Sequence, residues 1–391
     1  MKILKLDIEG FRSMKKVHWV PNDLNVIIGP NGAGKSNLLR FLELMSISAQ
    51  ARLGKHIQYL GGMEPIVWDG QATRLVCQLK MLAVAEDVQQ DTLSYELEMA
   101  RLGKSSAYRI EQEKLTYDSQ SKIGQTLVER ARLNGWILDK TGQPLKAEEE
   151  LVSEEESLLA IASEPFIANS LIYKFKRQLA SWTIYHDIHI DRDAPIRQSV
   201  VTRTERRVDP DGQNLIAVLH TLYTENRDFR YDLNAAMQAA FGNEFEELLF
   251  PPAADQRTQL RVIWKSLKRG QSAAELSDGM LRFLLLLTIF ASPSPASLIA
   301  IDEPEMGLHP SMLPVVAEYA VAATDKTQVI LTTHSPQFLN AFTETRPTIT
   351  IATCDQGETH LKNLNAQALD YWLKEYSLGT LFTSGELEDL A

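Results

Sequence analysis

Residues Gly29-Pro-Asn-Gly-Ala-Gly-Lys35-Ser36 match the pattern G-x-x-x-x-G-K-[ST] at every position, and their reading decides the fold. Working outward, Leu24-Asn25-Val26-Ile27-Ile28 reads as a buried strand, and Asn37-Leu38-Leu39-Arg40-Phe41-Leu42 continues as an amphipathic helix. Strand, glycine-rich loop and helix in that order let backbone N–H groups cradle phosphates at a helix N-terminus. On this reading Lys35 reaches the β- and γ-phosphates of a nucleotide, and the Ser36 hydroxyl ligates Mg²⁺.

Composition sets the frame around that loop. The chain has 391 residues, enough for one large domain or two modest ones. A formal net charge of −11 argues against a protein whose whole surface coats nucleic acid, while leaving room for a local basic groove. Cys77 and Cys354 are too few for a disulfide framework, which implies a reducing compartment. The N-terminus alternates like a strand and lacks the apolar core of a signal peptide. The longest apolar run, Leu281 to Ala291, contains Arg282 and Thr288 and is too short to span a bilayer. A cytoplasmic protein without a membrane partner is expected.

Three regions follow from the patterning. Residues 1–117 read as short strands around one helix, forming the first part of a core with an antiparallel β lobe. Residues 118–256 read as helical and charged, a lobe inserted into a single α/β fold. Residues 257–391 return to α/β alternation, with strands at 298–301, 328–332 and 348–352 and a C-terminal amphipathic helix over 366–376. Six glutamates between Glu148 and Glu156 read as a solvated helix face.

The third region supplies partners for the loop. Ser297-Leu-Ile-Ala-Ile301 is a buried strand ending in Asp302-Glu303, where open α/β sheets bind ligands. Asp302 would hold Mg²⁺ through water, and Glu303 would orient and deprotonate an attacking water. Val329-Ile-Leu-Thr-Thr-His334 is a second such strand, whose histidine would hydrogen-bond a γ-phosphate. Glu275-Leu-Ser277-Asp278-Gly279 is a helix start, with Ser277 as cap and Asp278 complementing the dipole.

Taken in order, loop 29–36, Leu-Ser-x-Gly at 276–279, Ile-Asp-Glu-Pro at 301–304 and His334 resemble four motifs of ABC-type ATPases: Walker A, signature, Walker B and switch histidine. The start Ile8-Glu-Gly-Phe-Arg12-Ser13 and the stretch Glu303-Pro-Glu-Met-Gly-Leu-His-Pro310 are similar to RecF, SMC-type and OLD-type ATPases. The middle region resembles RecF-like ATPases weakly, mainly through Asp211-Gly-Gln-Asn-Leu215. The resemblance implies an α/β P-loop NTPase of the ABC-ATPase type: a mixed central sheet, an antiparallel β lobe and an inserted helical lobe. It implies ATP and Mg²⁺ as cofactors. The nucleotide would be held by Asn31, Gly32, Ala33, Gly34, Lys35, Ser36 and Asn37, with Arg12 contacting it in cis. It further implies a homodimer, in which Ser277 and Gly279 of one copy close the ATP bound by the other. Glu303, His334 and Lys35 would be the catalytic residues, Ser36 and Asp302 the metal ligands, and Gln112 the residue offered for the Q-loop.

What such an ATPase acts upon is less legible. About 240 residues separate Ser36 from Leu276, too few for the long coiled coil of SMC proteins. Basic stretches at Tyr173–Arg177, Arg203 with Arg206 and Arg207, and Trp264-Lys265 with Lys268 and Arg269 are candidate nucleic-acid contacts. Each stretch alone reads more readily as a solvated face. The favoured reading is an ATPase that senses or clamps DNA and controls a separate effector protein in repair or anti-phage defence. The alternative is an ATP-dependent protein-assembly scaffold without a DNA role. A transporter subunit is opposed by the departures at 276–280 and 307–310.

Overall fold

The computed structural model describes the chain apart from residues 84–90, 104–105, 120–122, 162–168, 344, 366–368, 370–371, 374 and 390–391. The helix expected over 366–376 falls largely on that list and lies outside the described residues. The described chain forms two compact units, residues 1–182 with 348–365, and residues 183–347 with 366–390.

The first unit begins with β1 (Ile3–Phe11), β2 (Met14–Trp19), β3 (Leu24–Ile28), α1 (Lys35–Ser48) and α2 (Leu53–Tyr59). It continues through β4 (Arg74–Leu82), β5 (Thr92–Arg101), β6 (Tyr108–Asp118), β7 (Gln125–Ala131), β8 (Asn134–Leu138) and β9 (Pro144–Lys146). Helices α3 (Leu158–Ile161) and α4 (Ser170–Ala180) follow. Eight of these strands make one antiparallel sheet in the order β2-β1-β4-β5-β6-β7-β8-β9. Alternation explains it: Leu75, Cys77, Leu79 and Met81 are buried and pair with Met99, Leu97, Tyr95 and Leu93. Tyr95 packs in turn on Phe175 of α4, ring centres 5.4 Å apart.

The helical reading of the chain from residue 118 needs correction, because β7, β8 and β9 carry the sheet to Lys146. Their charge density imitated a solvated helix. Glu129 is exposed on β7, whereas Arg130 is buried and donates to the carbonyls of Arg132, Ser153 and Glu156. The acidic run after it is not a helix face either. Glu149–Leu151 form a single 3₁₀ turn, and the Glu156 carboxylate accepts the Leu53 and Gly54 N–H groups at 3.0 Å each, capping α2.

The second unit runs through β10 (Thr183–Tyr185), β11 (Val200–Val201), α5 (Leu215–Glu225), α6 (Arg227–Phe241) and β12 (Phe245–Leu249). Next come β13 (Pro252–Ala253), β14 (Arg257–Thr258), β15 (Arg261–Trp264), β16 (Gln271–Ser272) and α7 (Asp278–Phe290). The elements β17 (Leu298–Asp302), α8 (Leu313–Ala323), β18 (Gln328–Thr333) and α9 (Pro336–Asn340) follow, and two short helices, Leu378–Ser384 and Glu386–Asp389, also belong to this unit. β10, β17 and β18 pair in parallel, and β18 is buried along its whole length, as a strand covered on both faces must be. α7 is buried from Leu281 to Phe290, each large apolar side chain contributing about 1.5–3 kcal/mol of transfer free energy. The strands β19 (Thr348–Asp355) and β20 (Glu358–Asn363) return to the first unit, where β19 pairs in parallel with β3 and antiparallel with β20.

Candidate functional site

The sequence-predicted residues fall into two halves, one in each unit. In the first, β3 is buried throughout and delivers the chain into the loop at Gly29. Gly34 caps α1 at φ 95°, and a Cβ there would meet the Thr359 hydroxyl at 2.1 Å. Gly32 has φ 82° and open space where a Cβ would be. α1 carries no side-chain N-cap and no acid in its first turn. Its first-turn N–H groups are thus suited to an anion, as the uncapped end of a helix dipole should be.

Lys35 is buried and its Nζ donates to the carbonyls of Gly29 (2.7 Å) and Pro30 (3.1 Å), so its charge sits on the loop itself. Behind the loop, Thr359 of β20 donates to the Ala33 carbonyl at 3.0 Å and lies 2.7 Å from Ser13 Oγ. Asn37 Nδ2 donates to the same Ser13 oxygen at 2.7 Å. This knot of Ser13, Asn37 and Thr359 fixes the loop's outer wall; the sequence reading named Asn37 for the nucleotide and missed Thr359. Arg12 itself, at φ 45°, donates its backbone N–H to Ile66 and keeps a buried Nε without a partner among the described residues. Burial lowers its proton affinity. Gln112 lies mid-strand in β6, exposed in a groove of about 850 Å³ with Arg74 and Trp136, and the described contacts do not link it to the loop.

In the second half, Asp302 ends β17 opposite Thr332 of β18, whose hydroxyl donates to the Asp302 carboxylate. The Glu303 N–H donates to the same Thr332 oxygen at 3.1 Å. Glu303 has φ 47°, a left-handed backbone rare for a residue with a Cβ and typical of strained functional positions. Its carboxylate is 2.9 Å from His334 Nδ1, and its carbonyl accepts from the buried Arg282 at 3.1 Å. Asp302, Glu303 and His334 are therefore brought together.

Ser277 caps α7, its oxygen accepting the Met280 N–H at 3.2 Å. Gly279 packs so closely on the turn that follows β17 that a Cβ would lie 2.4 Å from the Gly307 carbonyl oxygen. One residue here escaped the sequence reading altogether. Arg197 is buried, pairs with Asp278, and donates to the carbonyls of Leu276 (2.6 Å), Ile190 and Asp191 (3.0 Å each). Its segment is pinned by Gln213, which accepts the Ile196 N–H at 3.0 Å and donates to the His189 carbonyl at 2.8 Å. The Asp211–Leu215 stretch is thereby explained as a scaffold for the Ser277 turn.

The basic stretches change meaning in the structure. Arg203, Arg206 and Arg269 pair with Glu205, Glu225 and Glu275, and Phe175 and Trp264 are buried. Lys174, Arg177, Lys265 and Lys268 are exposed.

Fold and motif order define an ABC-type P-loop ATPase of the RecF and SMC kind. The chain belongs to the family described as "AAA domain, putative AbiEii toxin, Type IV TA system", whose model matches residues 87–340. A second model, "AAA ATPase domain", matches residues 1–129. Among curated proteins it is similar to the DNA replication and repair protein RecF of Marinomonas sp. (strain MWYL1), 36% identical over 61 residues. That match spans 15% of this chain and 17% of the RecF protein. Two solved structures share the fold. One is an SMC head bound to the C-terminal winged-helix domain of ScpA, with TM-score 0.55, 15% identity, and 95% of this chain and all of that one covered. The other is an SMC head with an extended coiled coil, bound to the C-terminal domain of ScpA derived from Pyrococcus furiosus. Its TM-score is 0.51 and its identity 13%, over 96% of this chain and 99% of that one. No helix among the described residues is long and apolar enough to cross a membrane.

Proposed function

We propose that this chain binds ATP with Mg²⁺, hydrolyses it, and dimerises around it. The observation that carries the reading is the hold on Glu303. Its N–H, carbonyl and carboxylate are each engaged, by Thr332, Arg282 and His334, in a strained left-handed backbone. A carboxylate fixed this way is preorganised to orient a water and take its proton.

The residues present fit the nucleotide: an uncapped helix N-terminus, a loop whose glycines are close-packed or left-handed, and a lysine directed onto that loop. Ser36 and Asp302 would hold Mg²⁺, which supplies positive charge against the phosphates. Lys35 and the first-turn amides of α1 bind the phosphate oxygens. Glu303 removes the proton from water, and His334 orients Glu303. Ser277 and Gly279 of a second copy would complete the site at the N-terminus of α7.

Two readings of what the dimer serves remain open to test. The likeness over 61 residues to a DNA replication and repair protein supports the first, a DNA-directed ATPase that would act through an effector. The pairing of Arg203, Arg206 and Arg269 with acids of their own chain, together with the net charge of −11, favours a protein-assembly role instead. Phosphate release from ATP, with and without duplex DNA, tests both. Release by the wild type is expected, and its absence in every condition would overturn the ATPase. A salt-sensitive mobility shift of duplex DNA by the ATP-bound protein supports the first role; no shift at low salt supports the second.

A further inference from the structure

We propose that Glu305 is a positioning residue for Glu303, a hydrogen-bonding strut between the end of β18 and the turn 303–308. The inference rests on the ATPase reading.

One oxygen of the Glu305 carboxyl accepts the Thr333 hydroxyl, and that hydroxyl oxygen in turn accepts the Ser335 N–H at 2.9 Å. The strut's upper end thus brackets His334 on both sides. Its lower end sits in a doubly closed turn: Met306 N–H donates to the Glu303 carbonyl (3.1 Å) and Leu308 N–H to the Glu305 carbonyl (3.0 Å). Gly307 of that turn is the residue whose carbonyl abuts Gly279 of α7. Glu305 therefore lies between the Glu303–His334 pair and the turn that packs on the Ser277 helix start.

Its surroundings suit a strut better than a second base. One oxygen is taken by Thr333, and the other is sealed from solvent with no partner among the described residues. The sealed oxygen cannot meet an attacking water, and the other is already committed to Thr333. Burial is the largest influence on the carboxyl and raises its proton affinity, with Glu303 acting in the same direction. The Thr333 hydroxyl, the residue's own N–H and His334 favour the ionised form and are outweighed. A proton on the sealed oxygen removes an unpaired buried charge, which would otherwise be costly.

The test is steady-state hydrolysis by the full chain, reading kcat and the KM for ATP separately. Glu305→Gln keeps the acceptor for Thr333 and should hold kcat within about threefold of wild type. Glu305→Ala should lower kcat at least about tenfold with KM unchanged, because Glu303 is no longer held in place. Thr333→Val should reproduce that loss, and carries the test if Glu305→Ala fails to fold. A Glu305→Gln as inactive as Glu303→Gln would overturn the strut and make Glu305 a base. Wild-type kcat in both Glu305→Ala and Thr333→Val would overturn it too. Wild type and Glu303→Gln run alongside keep the cases apart: if the wild type releases no phosphate, the ATPase reading has failed independently of Glu305, and if Glu303→Gln turns over at the wild-type rate, Glu303 is not the base that Glu305 would position.

Discussion

The two halves of the candidate site are built by different means. The loop of the first unit is shaped mainly by backbone: glycines at left-handed φ, an uncapped helix start and a lysine bonded to loop carbonyls. The second unit's half is shaped by side chains: Thr332, Thr333, Arg282 and His334 each fix an atom of the carboxylate turn, and Arg197 fixes the Ser277 turn. A backbone-built half should be sensitive to one added methyl group. A side-chain-built half should lose function in graded steps as single partners are removed.

The largest effect is expected in the loop. Lys35→Ala removes the cation proposed to face the phosphates and should weaken ATP binding by about 100-fold or more, some 2.7 kcal/mol, by calorimetric titration. Gly34→Ala should come next. The new Cβ meets Thr359 at 2.1 Å in a left-handed backbone, and the overpacking should cost about 1–3 kcal/mol in denaturant unfolding as well as ATP affinity. Equal ATP affinity in Gly34→Ala and wild type would break the claim that this half is backbone-built.

In the second half, Arg197→Ala should cost about 2–4 kcal/mol of stability, since it strands buried carbonyls and releases Asp278. ATP binding by the loop of the same copy should stay near wild type, because none of the described Arg197 bonds touch the loop, whereas ATP-dependent dimerisation, proposed to use the Ser277 turn, should weaken. The smallest effect belongs to the exposed pair Arg269–Glu275: Arg269→Ala should leave both melting temperature and ATP turnover unchanged. A marked loss of DNA binding in Arg269→Ala would instead restore the nucleic-acid reading of that stretch.

The same contrast decides how much could be read from the sequence. Gly29 to Ser36 were legible because their function lies in residue type and order, and the strand and helix around them carry unambiguous periodicity. Asp302, Glu303 and His334 were legible as strand ends. Their supports were not: Thr332 and Glu305 gain meaning only when β17 and β18 pair, and Arg197 lies 80 residues before Ser277. Thr359 likewise reaches the loop from the far end of the chain. The sheet strands β7 to β9 were misread because a solvated sheet face and a solvated helix face carry similar charge, and a single buried arginine broke the alternation. The glutamate run hid one capping residue, Glu156, among five others.

The most direct test is Glu303→Gln, mixed with ATP and Mg²⁺ and followed by light scattering, bound nucleotide and phosphate release together. The account predicts that it retains ATP, accumulates as a dimer, and releases phosphate at least about 100-fold more slowly than wild type. Phosphate release at the wild-type rate would contradict the assignment of Glu303 as the base.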